Sequence, residues 1–170
     1  MLNLLRKGES LQTIETAIQQ AIDVGFDVHL NMMIGFPDQT VEDVEDTFAF
    51  ALKYPIRWAS FNNFVPYFGT EGFSQAEKRG LFLIEPSEYL NDVNQKAEQI
   101  IISTPHITAE QRKYIEKKIP KVQREIRKKY HIRRLMRDYG FPGKVMGTIF
   151  QNNLLPYELV DLALKVKNRV

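Results

Sequence analysis

The stretch GFDVHLNMMIGFPDQT, residues 25–40, decides the fold class of this chain. Residues 26–34 are a mostly apolar run of strand length, and Gly25 separates them from the residues before. The four residues that follow, GFPD, are a turn signal, and Thr40 is a residue type that caps helices. A strand, a glycine-containing turn and a helix start predict a βα unit. Functional residues of such units usually lie where the strand ends.

The elements on both sides continue this alternation. A helix is predicted over residues 10–24, with Ser10 as its cap, and a second helix is predicted over 41–53. A second apolar strand over 57–65 and a short helix over 73–79 come next. This order predicts parallel strands covered by helices on both faces. Two strands cannot form such a sheet alone, so we expect part of a larger barrel or wound sheet.

The second half of the chain predicts helices alone. They are expected at 87–102, 108–118, 121–138 and 156–168, divided by prolines and glycines at 104–105, 120, 140–143 and 156. We therefore predict two domains, a βα part over residues 1–85 and a basic α-helical region over 86–170.

Charge also differs between the two halves. Residues 1–100 hold 7 Lys/Arg and 15 Asp/Glu, a balance of −8, and residues 101–170 hold 16 and 6, a balance of +10. The basic excess at 112–137 predicts either a solvated helix face, which could also dock on the acidic half, or a surface for nucleic acid, phosphate or an acidic partner. We favour the first interpretation because no aromatic platform accompanies the basic residues.

Several classes of protein and site are excluded by what the sequence lacks. The 170 residues contain no cysteine, which excludes disulfides, thiol catalysis and thiolate-bound metals within this chain. It contains no apolar run of about 18 residues and no signal peptide, so we expect no membrane span and a cytoplasmic location. No nucleophile–base constellation is evident, which argues against a complete small α/β enzyme.

Two strand ends carry the candidate binding residues. Gly35 lets the backbone after the first strand approach a ligand closely, and the exposed backbone groups there could bind a planar base. His29 and Asn31 are two positions apart, so their side chains share one face of the strand. A lone histidine is nevertheless more often structural than catalytic. The second strand end is the turn NNFVPYFGT, residues 62–70.

Four segments in order resemble the second half of the core of radical S-adenosylmethionine enzymes. These segments are LRKGES at 5–10, GFDV at 25–28, MIGFPDQTVED at 33–43 and PYFGTE at 66–71. The resemblance covers residues 1–85 and is nearest to the cobalamin-binding group and the related methylthiotransferases. In those families the first turn usually reads Gly-Glu where this chain has Asp38 and Gln39.

The resemblance implies a fold and a cofactor site. The fold would be the second half of a partial (β/α)6 TIM-like barrel with parallel strands, followed by an α-helical C-terminal region. Met33, Ile34, Gly35 and Phe36 would contact the adenine of S-adenosylmethionine through their backbone, and Asp38 would support their turn.

The remaining site residues implied by the resemblance lie on both strands. Phe64 and Val65 would close the adenine pocket at the end of the second strand. His29 and Asn31 would face the barrel interior, near the ribose, the methionine or the substrate. The resemblance assigns no catalytic residue and no metal ligand to this chain.

The resemblance also implies chemistry that this chain alone cannot complete. Cleavage of S-adenosylmethionine to a 5′-deoxyadenosyl radical needs a 4Fe–4S cluster, and the C-x-x-x-C-x-x-C ligands are absent here. We therefore expect a C-terminal fragment of a radical, cobalamin-dependent oxidoreductase or methyltransferase, inactive alone. Its expected partners are the missing N-terminal half of the barrel, a small-molecule substrate and other copies of the chain, bound through exposed strand edges.

The substrate and the class of the parent protein are left open. Anaerobic magnesium-protoporphyrin IX monomethyl ester cyclases are similar at this level, so an anionic tetrapyrrole could meet Arg127, Arg133 and Arg134. A methylthiotransferase-type fragment is one alternative. A non-enzymatic module that binds nucleic acid or an acidic partner through the basic helices is another.

Overall fold

The first half of the chain alternates helices and strands as its sequence predicts. The computed structural model describes residues 8–91 and 99–152. Its elements are, in chain order, α1 (Leu11–Val24), β1 (His29–Ile34), α2 (Val41–Lys53), β2 (Trp58–Asn63), α3 (Glu71–Lys78), α4 (Pro86–Tyr89) and α5 (Ala109–Gln151). The two strands pair in a two-stranded parallel sheet, and α2 makes the crossover between them.

Local capping chemistry explains where α1 begins and ends and where α2 begins. The Ser10 hydroxyl accepts a hydrogen bond from the Thr13 backbone N–H at the start of α1, and Gly25, with φ 104°, ends that helix in the left-handed region. At the start of α2 the Thr40 hydroxyl accepts from the Asp43 N–H, and the Asp43 carboxylate accepts from the Thr40 N–H. The hydrogen bonds from Thr40 lower the pKa of the Asp43 carboxyl.

The predicted half of a (β/α)6 barrel is wrong. The described residues form a sheet of two strands, and the long helix α5 follows instead of further βα units. After β2 the chain enters α3, and Phe82, which lies between α3 and α4, forms an isolated antiparallel bridge with Ile102. A barrel needs each strand to pair laterally on both sides, and neither strand meets that requirement within the described part of the chain.

The helical half also departs from its prediction at several points. Of the described residues in the segment predicted as a helix over 87–102, those that belong to α4 (Pro86–Tyr89) are helical, and Ile102 takes part in the bridge. Residues 92–98 of that segment lie outside the described residues. Helix α5 continues through Pro120, where a break was predicted. The helix predicted over 156–168 lies outside the described residues. None of the described helices has both the length and the apolar character needed to cross a membrane.

A turn at Gly140 folds the end of α5 back on itself. Gly140 has φ 57° and ψ −127°, which is not helical. A side chain at Gly143 would strike the Leu135 carbonyl, and one at Gly147 would press on Met136. The helical segments before and after Gly140 therefore run antiparallel, and they approach closely where Gly143 and Gly147 have no side chain.

The described residues divide into two compact units. One comprises residues 8–29, 51–58 and 121–152, and the other comprises 30–50, 59–91 and 99–120. The domain assignment of 1–85 and 86–170 stays a prediction. The second unit holds an apolar cluster of buried side chains, which are Ala76, Leu81, Tyr89, Ile101 and Ile102.

In the first unit, cations of α5 bind the carboxyl ends of two other helices. Arg133 donates to the Ile22 carbonyl and Arg137 donates to the Gly25 carbonyl at 3.4 Å, both at the end of α1. Lys129 donates to the Leu52 carbonyl, near the end of α2, at 2.5 Å. Carbonyls in the last turn of a helix carry the negative end of the helix dipole, and the Ile22 carbonyl also accepts a hydrogen bond from the Gly25 N–H at 3.1 Å.

The arginines expected to meet an anionic substrate make contacts within the chain. Arg127 lies over the Trp58 ring, 5.0 Å from its centroid, and Arg134 pairs with Asp138. With Arg133 bound to α1, all three arginines have partners within the described part of the chain. Binding of nucleic acid or of an acidic partner stays a prediction.

Replacing Arg133 with methionine is expected to lower the free energy of unfolding by about 1–2 kcal/mol. The change keeps much of the aliphatic stem but removes the donor from the end of α1. Urea unfolding followed by circular dichroism measures the loss. Arg124→Met is the matched control, because Arg124 is exposed on the same helix. Equal loss in both variants would contradict the capping role.

Candidate functional site

A buried amide holds the turn that follows β1. Gly35 has φ 88°, in the left-handed region, and its N–H donates to Oε1 of Gln39 at 2.6 Å. The Gln39 N–H donates in turn to the Phe36 carbonyl at 3.0 Å. Gln39 is only 2% exposed, so these bonds are shielded from water. The shape of the turn therefore depends on Gln39 as well as on the glycine.

The end of β2 is tied to the same turn. The Phe64 N–H donates to the Ile34 carbonyl at 2.7 Å. The rings of Phe36 and Phe64 pack with their centroids 4.7 Å apart. Gly72 leaves room for the Phe64 ring, because a side chain at that position would strike it. Both strand ends are therefore held in one small region.

A cavity of about 160 Å³ opens at these strand ends, and we call it the strand-end cavity. Its lining residues are Ile34, Gly35, Val44, Phe61, Asn63, Ile107, Arg112, Ile115, Glu116 and Ile119. They come from the ends of β1 and β2, from α2, and from α5 with the residues just before it. The wall is mainly aliphatic, with three polar side chains, as in many small-molecule sites.

Two of the polar side chains carry opposite charges. Nη2 of Arg112 donates to the buried Thr104 hydroxyl at 3.0 Å. Burial lowers the pKa of Arg112, while the charge of Glu116 opposes that shift. Arginine remains protonated in proteins even so. The strand-end cavity therefore has a cationic and an anionic group on one helix, one turn apart.

The segment of α5 beside the strand-end cavity is attached to α2. Nζ of Lys118 donates to a Glu45 carboxylate oxygen at 2.5 Å and lies 5.9 Å from the Phe48 ring centroid. The hydrogen bond to Glu45 raises the pKa of Lys118. Ile115, which is buried, adds an apolar contact surface on the same segment. These contacts fix Arg112 and Glu116 near the strand ends.

The structure brings together four of the residues that the sequence analysis assigned to the cofactor. Ile34 and Gly35 line the strand-end cavity, and Phe36 and Phe64 pack beside it. Val65, the next residue, packs against the apolar cluster of the second unit. Their role in binding stays a prediction.

The other assigned residues lie elsewhere. His29, Asn31 and Met33 alternate with the more buried residues of β1 and are exposed on its other face. Asp38 is exposed and pairs with Arg79 at 2.8 Å, so the described support for the turn comes from Gln39 instead. The assigned set therefore divides between the cavity side and the open face of the sheet.

The open face of the sheet is polar in the second unit. The Ser60 hydroxyl and the Asn31 side-chain oxygen lie 2.7 Å apart, and Nδ2 of Asn62 donates weakly to Ser60 at 3.4 Å. Met33 adds an apolar side chain that is 47% exposed. In the described part of the chain, no group of three histidine, aspartate or glutamate side chains could hold a metal ion.

Three residues of this region were missed by the sequence analysis. Gln39 follows a turn glycine by four positions and precedes a helix cap, which is a readable signal for a side chain that closes the turn. Arg112 and Glu116 have no such signal, because they are two charged residues among many on a basic helix. Only the fold places them beside Ile34.

Replacing Gln39 with leucine is expected to lower the free energy of unfolding by about 1–2 kcal/mol, because the buried Gly35 N–H loses its acceptor. Chemical denaturation of the purified chain measures this loss. Gln12→Leu is the control, since Gln12 is exposed on α1. Unchanged stability in the Gln39 variant would show that the turn does not need this bond.

Comparison with known proteins gives one informative similarity. Over 83 residues the chain is 36% identical to a protein of Pyrococcus horikoshii that is named an uncharacterized methyltransferase. The match covers 49% of this chain and 18% of the relative, so the chain spans a minor part of that protein's length. No family model and no solved structure matches the chain. Half of this chain is therefore similar to part of a protein named for methyl transfer.

Proposed function

We propose that this chain forms part of a methyltransferase and binds the adenosyl group of S-adenosylmethionine at the turn after β1. The observation that carries the proposal is the strand-end cavity beside Gly35. Carboxyl ends of parallel strands are where α/β proteins bind ligands. The similarity to a protein named a methyltransferase supports this choice of ligand.

The residues around Gly35 would divide the task of binding. Gly35 and Phe36 would offer backbone groups to the edge of the adenine, in a turn whose shape Gln39 holds. Phe64 would form the side of the site that lies at the end of β2, since its N–H donates to the Ile34 carbonyl. A preorganised turn costs little ordering entropy on binding.

We further propose, from the resemblance of residues 1–85, that the parent enzyme belongs to the radical S-adenosylmethionine class. The 4Fe–4S cluster of that class does not fit this chain, because none of its 170 residues is a cysteine. The cluster ligands would have to come from another part of the parent enzyme. Cobalamin rests on the resemblance alone. An anionic tetrapyrrole would be one substrate of such a parent.

Binding of S-adenosylhomocysteine, the demethylated donor, tests the adenosyl site. Isothermal titration calorimetry of the purified chain should detect binding, and Gly35→Ala should weaken it about tenfold, because alanine disfavours the left-handed backbone of the turn. Gly80→Ala is the matched control. Gly80 also has a positive φ, 62°, and no atom lies within 4 Å of a side chain built there.

The two glycine variants separate binding from stability. Both should lose stability, and only Gly35→Ala should lose affinity. Absence of binding to the unmodified chain, or equal weakening by both variants, would refute the proposed site.

A further inference from the structure

The strand-end cavity contains a charged pair, Arg112 and Glu116, that binding of a neutral adenine ring does not require. Arg112 is half-buried, and its described hydrogen bond goes to the neutral hydroxyl of Thr104. Within the described part of the chain, no carboxylate oxygen lies within 4.0 Å of its guanidinium group. A guanidinium group has five N–H donors, and removing it from water is costly unless an anion meets it.

The carboxylate of Glu116 restricts which ligands can bind beside Arg112. Glu116 lines the same strand-end cavity one turn further along α5. A simple anion bound to Arg112 would therefore also be repelled by Glu116. A ligand with both a carboxylate and an ammonium group would satisfy the two side chains together.

We propose that the strand-end cavity binds the α-amino-acid group of a ligand, with its carboxylate on Arg112 and its ammonium group on Glu116. The aliphatic wall of Ile34, Val44 and Ile115 then faces the methylene groups of the amino acid. This inference rests on the proposed function for the nature of the larger ligand. Two residues of α5, Arg112 and Glu116, would then contribute to the specificity for the ligand.

The size of the cavity agrees with one part of a ligand and not with a whole cofactor. Pockets that enclose drug-sized ligands measure about 300–1,000 Å³. The strand-end cavity measures about 160 Å³, so S-adenosylmethionine could place only one of its ends there. With the adenosyl group at the turn, the methionyl end is the one that carries an α-amino-acid group.

Two sources could supply the same chemistry. One is the methionyl end of the methyl donor. The other is a separate amino acid or amino-acid-bearing methyl acceptor. Both would place a carboxylate on Arg112, and they are distinguished by which molecules bind.

The experiment compares S-adenosylhomocysteine with 5′-methylthioadenosine, which keeps the adenosyl group and lacks the amino-acid group. Calorimetry on the purified chain should show S-adenosylhomocysteine binding at least about tenfold more tightly, the effect of one charge-assisted hydrogen bond or more. Arg112→Met and Glu116→Gln should remove this preference and leave the affinity for 5′-methylthioadenosine unchanged.

Matched controls separate the charged pair from the general charge of α5. Arg124→Met and Glu125→Gln make the same changes at exposed positions of that helix and should keep the preference. Thr104→Val removes the hydrogen bond to Arg112 and keeps the guanidinium group. Glu116→Gln is at an exposed position, so the test remains informative if Arg112→Met does not fold.

The outcomes distinguish the amino-acid inference from the proposed adenosyl site. If free L-methionine or another L-amino acid binds and needs Arg112, while the two nucleosides bind equally, the source is a methyl acceptor and the inference stands. If the nucleosides bind equally and no amino acid binds, the inference is overturned and the adenosyl site remains. If none of these molecules binds, both proposals are overturned.

Discussion

Replacing Phe48 with alanine is expected to lower the free energy of unfolding by about 3–5 kcal/mol. Phe48 lies on the inner face of α2 and is only 1% exposed. Its ring meets the Phe61 ring edge to face at 5.0 Å, and Lys118 lies over it. Alanine would leave an empty volume where close packing and a ring pair now stabilise the fold.

The same substitution should disturb the strand-end cavity. Phe61 lines that cavity, and Phe48 fixes the position of its ring. Phe48→Ala should therefore weaken binding of S-adenosylhomocysteine as well as stability. Urea unfolding gives the first effect and calorimetry gives the second. Phe48→Leu, which keeps most of the volume, should lose less than about 1.5 kcal/mol.

An exposed phenylalanine provides the contrast. Phe141 is 79% exposed, and Phe141→Ala should leave the free energy of unfolding within about 0.5 kcal/mol of the unmodified chain. If Phe48→Ala lost no more than Phe141→Ala, the packing between α2 and β2 would have to be different from that described.

Replacing Pro120 with alanine is expected to raise the free energy of unfolding by about 2–3 kcal/mol. Pro120 is exposed inside α5, and the helix continues on both sides of it. Proline has no N–H to donate to the Glu116 carbonyl, and its ring crowds that carbonyl. Alanine restores the hydrogen bond. The gain is reduced by the greater freedom of the unfolded chain.

Pro142→Ala is the matched control for this gain. Pro142 lies two positions after the Gly140 turn, in the first turn of the returning helical segment, where a missing N–H costs nothing. Chemical denaturation of both variants should show a gain for Pro120→Ala alone. A loss at Pro120 would mean that proline relieves strain in α5.

The elements of the first half were predictable because their signals are local. Ser10, Gly25 and Thr40 act on atoms within a few residues, and the apolar runs 26–34 and 57–65 contain the shorter strands β1 and β2. Local signals of this kind could not decide whether the two strands belong to a barrel, and the predicted barrel is wrong. Lateral pairing of strands depends on residues far apart in the chain, and the resemblance supplied an expectation that the described residues do not meet.

The candidate site shows the same division between local and distant information. Gly35 could be identified as a turn residue from its position after a strand, and its role in ligand binding stays a prediction. Pro120 predicts the end of a helix, because proline disfavours the helix interior. In the structure the helix continues, and burial of Ile115 and Val122 on either side of Pro120 outweighs the preference of proline. Arg112 could not be paired with Ile34 from sequence, since tertiary packing alone brings them to one cavity.

The anchoring of α5 in the first unit has a consequence for acid tolerance. Arg133 and Arg137 end on backbone carbonyls, which do not titrate. The ion pair of Lys53 with Glu15 does titrate: its hydrogen bond lowers the pKa of Glu15, so its contribution is present above the usual carboxyl pKa and disappears as the pH falls through the lowered one. Acid therefore removes the ion pair between Glu15 of α1 and Lys53 of α2 while the guanidinium contacts to α1 persist.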